Sequence, residues 1–154
     1  MKTIRIAIAA AALIVAPAAV SAQDVGKAVA ARKAAMQLYA HYISQLGAMA
    51  KGAIDYDAEA AGKAAASLNA LASLDQSRMW PQGSGNDALG DQTRALPTIW
   101  TTYPAVTEKS AAFKTAAAAM NDAAGGGLAS LQGAMGALGQ SCGGCHEDFR
   151  QPKE

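Results

Sequence analysis

The 154-residue chain has little of what β-sheets are built from. Phe, Trp and Tyr together make up 5% of it, and alternating runs of β-branched residues are absent, whereas alanine is abundant. This composition favours helices and argues against a sheet. Charged residues make up only 16%, and the two signs nearly balance. The chain therefore gives no support for nucleic acid or an anionic membrane surface as a partner.

The first residues are typical of a secretory signal. Lys2 and Arg5 form a short positive region, the apolar run 6–15 follows, and small residues precede a cleavage point after Ala22. The apolar run is too short for a bilayer span. We predict that residues 1–22 are a leader removed on export and that residues 23–154 form one domain. That domain has 11 basic and 12 acidic residues and no membrane span.

Cysteine and histidine are scarce, with two of each in the chain. Both cysteines and one histidine fall in a single run, Cys142-Gly143-Gly144-Cys145-His146, which is the C-x-x-C-H signature of c-type haem attachment. Two thiols at this spacing can each form a thioether to a haem vinyl group, and the adjacent imidazole can bind the iron as its proximal ligand. The run therefore predicts one covalent haem c on Cys142 and Cys145, with its iron ligated by His146.

Other uses of the two cysteines fit the sequence poorly. A disulfide between them would close a tiny loop and would constrain little of the unfolded chain. A zinc site would need a fourth ligand, and only His41 remains as a nitrogen donor. A thioredoxin-like pair is expected in a βαβ setting, which this chain lacks.

Hydrophobic periodicity divides the domain into four helices. The first is predicted over 24–50, with Asp24 as a candidate N-cap and Gly52 as the stop, because its apolar residues recur at alternating spacings of three and four. The second is predicted over 57–74. A long connection, 75–104, precedes the third and fourth helices, which are predicted over 105–123 and 128–150. The pattern indicates an all-α, antiparallel four-helix bundle with covalently attached haem c near its C-terminal end.

The chain resembles the class II cytochromes c, the cytochrome c′ family, over essentially this whole domain. The run 141–150 resembles the family's haem motif followed by an aromatic and a basic residue, and 32–36 resembles the stretch that presents the distal residue to the haem. The runs 46–52, 56–57 and 97–100 resemble the family around the ends of its other helices. The resemblance implies a periplasmic monohaem cytochrome that carries single electrons to a transient redox protein partner. It also implies that the protein is not an enzyme and that it can form a homodimer.

The resemblance places Met36 at the distal position, facing the sixth coordination site of the iron. In the low-spin branch of the family a methionine there binds the iron, which raises the reduction potential and leaves no open site. In cytochromes c′ proper an apolar distal residue blocks the iron without bonding, and the five-coordinate iron admits NO or CO. Because 46–52 and 142–150 resemble the methionine-ligated branch more closely, we predict ligation by Met36 and keep the gas-binding protein as the alternative.

The other histidine is a poor rival for this position. His41 lies five residues beyond Met36, which on a helix turns it about 140° away at about 100° per residue. With no distal histidine beside the iron to handle protons, the sequence gives no support for peroxidase-like chemistry.

Three further features carry expectations. Arg32, one turn before Met36, is expected either to reach a haem propionate or to extend along the helix to solvent. Gln140 stands two residues before the first motif cysteine, where many relatives have Lys or Arg, so the role of a basic group there is open. A face of small residues on the second helix is compatible with a dimer contact and equally with close packing inside one bundle; its members are Ala61, Ala64, Ala65 and Ala72.

Overall fold

The computed structural model describes residues 22–153. All of the predicted leader, 1–22, except its last residue lies outside the described part of the chain. Four long helices make up the fold: α1 (Ala22–Ala50), α2 (Ala58–Ala72), α3 (Tyr103–Ala123) and α4 (Leu128–Phe149). The connection between α2 and α3 contains four short helical turns, Ser77–Met79, Asn86–Leu89, Gly90–Gln92 and Thr98–Thr101. The all-α four-helix bundle predicted from the sequence is confirmed.

The two ends of α1 differ in how well the sequence predicts them. Asp24 is not the N-cap, because α1 begins at Ala22 and Asp24 lies in its first turn, with its Oδ1 3.9 Å from Lys27 Nζ. An acidic residue is favourable both as a cap and inside the first turn, so its type does not separate the two positions. At the other end, Gly52 has a φ of +69° and ends the helix as predicted.

The small-residue face of α2 serves packing within the chain. Asp57 caps α2 by accepting from the backbone N–H of Ala60 at 2.7 Å. The four alanines of the face are almost completely buried against α1 and α3, which removes them as a dimer contact; they are Ala61, Ala64, Ala65 and Ala72. A homodimer through other surfaces stays a prediction.

Two clusters of buried side chains hold the fold together. The larger fills the bundle and contains Tyr39, Leu46, Leu68, Met120, Leu131 and Leu138. The smaller lies where the connection meets α4; it contains Ala95, Ile99 and Phe149, with Trp80, Trp100 and Cys145 packed against it. The connection is therefore packed against the part of α4 that carries the C-x-x-C-H run.

Helices α1 and α4 are antiparallel neighbours that contact each other less extensively than α1 contacts α2. Their packing is fixed near the end of α1, where Gln132 Nε2 donates to the carbonyl of Ala50 at 2.8 Å. One turn along, a Cβ built on Gly47 would lie 3.6 Å from Met135 Cε. These two contacts define the register of the pair.

Candidate haem site

The predicted haem ligands lie together on α4. Spacings of three and four put Cys142, Cys145 and His146 on one side of the helix, and all three are half-buried. The two cysteines are not joined in a disulfide, and burial raises the pKa of each thiol. Reactive redox thiols have a lowered pKa instead, so the environment does not favour a thioredoxin-like pair.

The structure gives no support for the zinc alternative either. Within residues 22–153 no three side chains of His, Cys, Asp or Glu are grouped so that they could hold a bare metal ion. His41 is exposed on α1, where its Nε2 is 2.9 Å from Gln45 Nε2.

An open cleft of about 800 Å³ runs beside His146. Burial, together with the positive charges of Arg150 and Arg94, lowers the pKa of His146. The imidazole is therefore neutral at neutral pH, which is the form that binds a metal. The cleft is lined by Arg94, Gly143, His146, Glu147, Arg150, Pro152 and Lys153.

The register of α1 and α4, continued along ideal helices, puts Met36 and His146 at the same level on facing helices. Met36 is 11 residues before Gly47, and His146 is 11 residues after Met135, the two residues that meet across the antiparallel pair. At about 1.5 Å per residue, each step covers about 16 Å of helix axis. At about 100° per residue, each returns to within about 20° of the starting face. Met36, which is 38% exposed, thus lies on the side of α1 that faces α4.

Arg32 binds the connection between α2 and α3, a role that the sequence did not predict. It is only 3% exposed, so the expectation that it extends to solvent is wrong. One terminal nitrogen donates to Ser84 Oγ at 2.7 Å, and the other donates to Thr93 Oγ1 at 2.7 Å and to the Ser84 carbonyl. Its guanidinium carbon also lies 4.7 Å from the centre of the Trp80 ring. Arg32 binds the connection, and a propionate contact stays a prediction.

The connection is bonded to the end of α4 as well. Leu96 N donates to the Phe149 carbonyl at 3.0 Å, and Gln151 N donates to the Arg94 carbonyl at 2.8 Å, as in a short antiparallel pair of strands. Asn86 Nδ2 donates to Gln151 Oε1 at 2.8 Å. Sequence reasoning missed these polar residues; the only signal was that apolar residues in a long connection imply that it packs against something.

A basic group does stand near the position of Gln140, but it comes from another helix. Gln140, Gly144 and Lys109 line a second groove, between α3 and α4. Lys109 Nζ is 3.0 Å from Asp148 Oδ2, and a Cβ built on Gly144 would lie 3.4 Å from the same Nζ. Lys109 therefore supplies positive charge beside the C-x-x-C-H run.

A helical bundle whose fourth helix carries C-x-x-C-H opposite the first helix defines a c-type cytochrome of the four-helix class. The family model described as Cytochrome C′ matches residues 27–150. The chain thus belongs to the cytochrome c′ family, as the resemblance indicated, and it carries covalently bound haem c. The thiols, the neutral imidazole and the α1–α4 interface fit that group. Within residues 22–153 no helix has both the length and the apolar character of a bilayer span.

Relatives bear both names used in this family. Cytochrome c-554 of Cereibacter sphaeroides is 45% identical over 140 residues, which cover 90% of this chain and 91% of the relative. Cytochrome c′ of the same organism is 41% identical over 135 residues, covering 87% and 89%.

Solved structures agree in fold. Cytochrome c′ from Rhodobacter sphaeroides superposes with a TM-score of 0.81 at 37% identity and covers 84% of this chain and 98% of its own. A ferrous variant of cytochrome c′ from Alcaligenes xylosoxidans, solved with bound NO, gives a TM-score of 0.74 at 28% identity and covers 84% and 97%. Another variant of that protein was solved with carbon monoxide.

Proposed function

We propose that this protein is a periplasmic cytochrome that carries single electrons, with haem c bound through Cys142 and Cys145 and its iron ligated by His146 and Met36. When bound, the haem supplies an iron that alternates between ferric and ferrous states. The chain would hold that iron between an imidazole on α4 and a thioether on α1. Since no bond is made or broken in a substrate, we do not expect the protein to be an enzyme.

The observation that supports the proposal is the α1–α4 register, from which helix geometry gives Met36 and His146 a shared level and facing directions. The packing register of α1 and α4 is set by contacts at Gly47, Met135 and Ala50, which are independent of either ligand. Methionine and histidine as axial ligands raise the reduction potential and close the iron to added ligands, which suits electron transfer.

The surface beside His146 suits a transient redox partner. Arg94, Arg150 and Lys153 line the cleft next to the ligand, although the described chain as a whole is nearly neutral. A locally positive face attracts an acidic partner and orients it, and electron-transfer encounters are small. Arg150 and Lys153 are better candidates than Arg32 or Arg94 to bind the haem propionates, because the terminal nitrogens of Arg32 already bind Ser84 and Thr93 and the guanidinium of Arg94 already bonds the Gln151 carbonyl.

The alternative function is binding of NO or CO at a five-coordinate iron. It is favoured by the Alcaligenes xylosoxidans relatives, solved as variants with NO and with carbon monoxide. In that case the flexible Met36 side chain would lie beside the iron without bonding it, as methionine does when it only fills space.

Visible spectra of the purified holoprotein separate the two functions. We expect the wild type to show a weak ferric band in the far red from a sulfur–iron bond and a sharp low-spin ferrous α-band. Met36→Ala should lose the sulfur–iron band and bind CO. Leu38→Ala is a matched control, since Leu38 is an equally exposed apolar residue on α1 (44%) that points about 200° away from Met36 at about 100° per residue.

A wild type that is already high-spin and takes up CO would replace electron transfer with the gas-binding function. The intact mass of the protein from a periplasmic extract tests export and attachment together. It should equal residues 23–154 plus one haem, and an unprocessed mass would contradict the predicted leader.

A further inference from the structure

We propose that residues 84–96 of the connection form a brace that holds α1 and α4 at the separation Met36 needs to reach the iron, and that Arg32 positions this brace. The inference rests on the proposed function, because it concerns the same two axial ligands. It adds residues that neither attach the haem nor ligate the iron.

The brace acts beyond the two contacts that set the α1–α4 register. The contacts that set the α1–α4 register, at Gly47 and Ala50, lie about 16 Å or more along the helix axis from Met36, at about 1.5 Å per residue. A small change in the angle between the helices would therefore move Met36 relative to His146 while leaving those contacts intact. The separation at the ligand level needs a second support.

Arg32 attaches the brace to α1. It lies one turn before Met36, so the two side chains leave the helix on the same side. Its guanidinium reaches Ser84 and Thr93, residues 52 and 61 positions away, and both contacts are buried. A planar guanidinium holds several acceptors in a fixed arrangement, which a flexible ammonium does not. Arg32 thus fixes two points of the brace, Ser84 and Thr93, to the turn of α1 that carries Met36.

Residues 94–96 attach the brace to α4. Arg94 follows Thr93 directly, and it both accepts from Gln151 N at 2.8 Å and donates from Nε to the Gln151 carbonyl at 2.9 Å. Leu96 N donates to the carbonyl of Phe149, three residues after the iron ligand His146. The route from Arg32 to the last turns of α4 therefore passes through four consecutive residues of the brace, 93–96.

The two ends of the brace are also bonded to each other, since Asn86 N donates to the Ala95 carbonyl at 2.8 Å. Ser84 Oγ, which accepts from Arg32, itself donates to the Pro81 carbonyl just before the brace at 2.7 Å. No buried polar side-chain atom in the described chain lacks a partner, so the brace has no loose polar group at its centre. A segment bonded in this way transmits a shift at Arg32 to α4 instead of absorbing it.

The brace matters because ligation of the iron tolerates only a small displacement of its ligands. A binding constellation has to be held within about 0.5 Å of its productive geometry by residues behind the ligands. Loss of such supporting partners weakens metal ligation even when every ligand is present. Loosening the brace should therefore release Met36 from the iron, while His146 and the two thioethers, all on α4, stay in place.

The test compares variants of Thr93 and Arg32 in the intact holoprotein. Thr93→Val keeps the shape of the side chain and removes its hydroxyl, whereas Thr93→Ser keeps the hydroxyl. Arg32→Lys keeps the charge and removes the fork. We expect Thr93→Val and Arg32→Lys to lose about half or more of the far-red sulfur–iron band, to bind CO and to show a lower midpoint potential, since methionine ligation raises it. Thr93→Ser should retain the wild-type spectrum.

Tyr56→Phe is the control for a general loss of stability. Tyr56 bonds the carbonyl of Ala124 and the N–H of Gly127, at the end of the bundle remote from Met36, so its loss should leave the sulfur–iron band unchanged. If Thr93→Val folds and retains the band, the brace is refuted, whether or not Arg32→Lys folds. Equal loss in Tyr56→Phe would also refute it. A wild type without the band overturns the proposed function and the brace together, whereas a wild type with a band that every brace variant keeps overturns the brace alone.

Discussion

Replacing three glycines of α4 with alanine should make the folded protein more stable. The helix that carries the haem motif contains five glycines in 22 residues. Each glycine in a helix interior costs about 0.5–1 kcal/mol relative to alanine, because it loses more backbone freedom on folding. At four of them a Cβ would meet nothing within 4 Å, and three of these lie outside the C-x-x-C-H run; the three are Gly133, Gly136 and Gly139.

The size of the gain follows from these positions. With no steric cost to offset it, the triple replacement should raise the free energy of unfolding by about 1.5–3 kcal/mol. For a domain of this length, each kcal/mol is worth about 3–4 °C in Tm. We therefore expect Tm to rise by roughly 5–12 °C.

Thermal unfolding of the holoprotein, followed by far-UV circular dichroism, measures this shift. The visible spectrum of the variant should match that of the wild type, which shows that the haem site is intact. An unchanged or lower Tm with an intact spectrum would refute the reasoning, because it would mean that the exposed side of α4 is not free to accept three methyl groups.

Two further replacements test the end of the bundle remote from the haem motif. Tyr56→Phe removes a hydroxyl that donates to the Ala124 carbonyl at 2.8 Å and accepts from Gly127 N at 3.0 Å. It should lower the free energy of unfolding in guanidinium by about 1–3 kcal/mol, and a loss below about 0.5 kcal/mol would contradict the importance of these bonds. Gly127→Ala forces a side chain onto a φ of +116° and should destabilise the protein by about 1 kcal/mol or more. Its Tm should fall where that of Gly136→Ala rises, and a shift of the same sign in both would contradict the backbone argument.

The helices were predictable from sequence because their periodicity is local. The fourth helix, predicted over 128–150, is observed over Leu128–Phe149. The third begins two residues earlier than predicted, because Pro104 stands in the first turn of the helix instead of ending the connection. Proline is tolerated there, since its missing N–H would have no partner in the helix. The predicted helix boundaries were wrong where one residue type is favourable at two neighbouring positions, as for Asp24 in α1 and Pro104 in α3.

The candidate site was predictable only in part. The C-x-x-C-H run predicts the haem-binding residues by spacing alone, and the family that the resemblance indicated is confirmed by the match over residues 27–150. The partners of Arg32 could not be predicted, since Ser84 and Thr93 are common loop residues more than 50 positions away. Periodicity reports which side of a helix is apolar, but it carries no information on which segment of a long connection covers that side.

The bonds between residues 94–96 and 149–151 also bear on the order of assembly. Every segment that contacts the C-terminal half of α4 precedes it in the chain, at separations of about 50 residues for the bonds to Arg94 and Leu96. Contacts between segments distant in sequence form late, because the chain loses the entropy of closing a long loop before it gains the favourable energy of the contact. The side of the C-x-x-C-H run that meets the connection and α1 is therefore expected to stay accessible until late in folding. Haem joined to α4 at that stage would be carried to the side of α1 when the bundle closes.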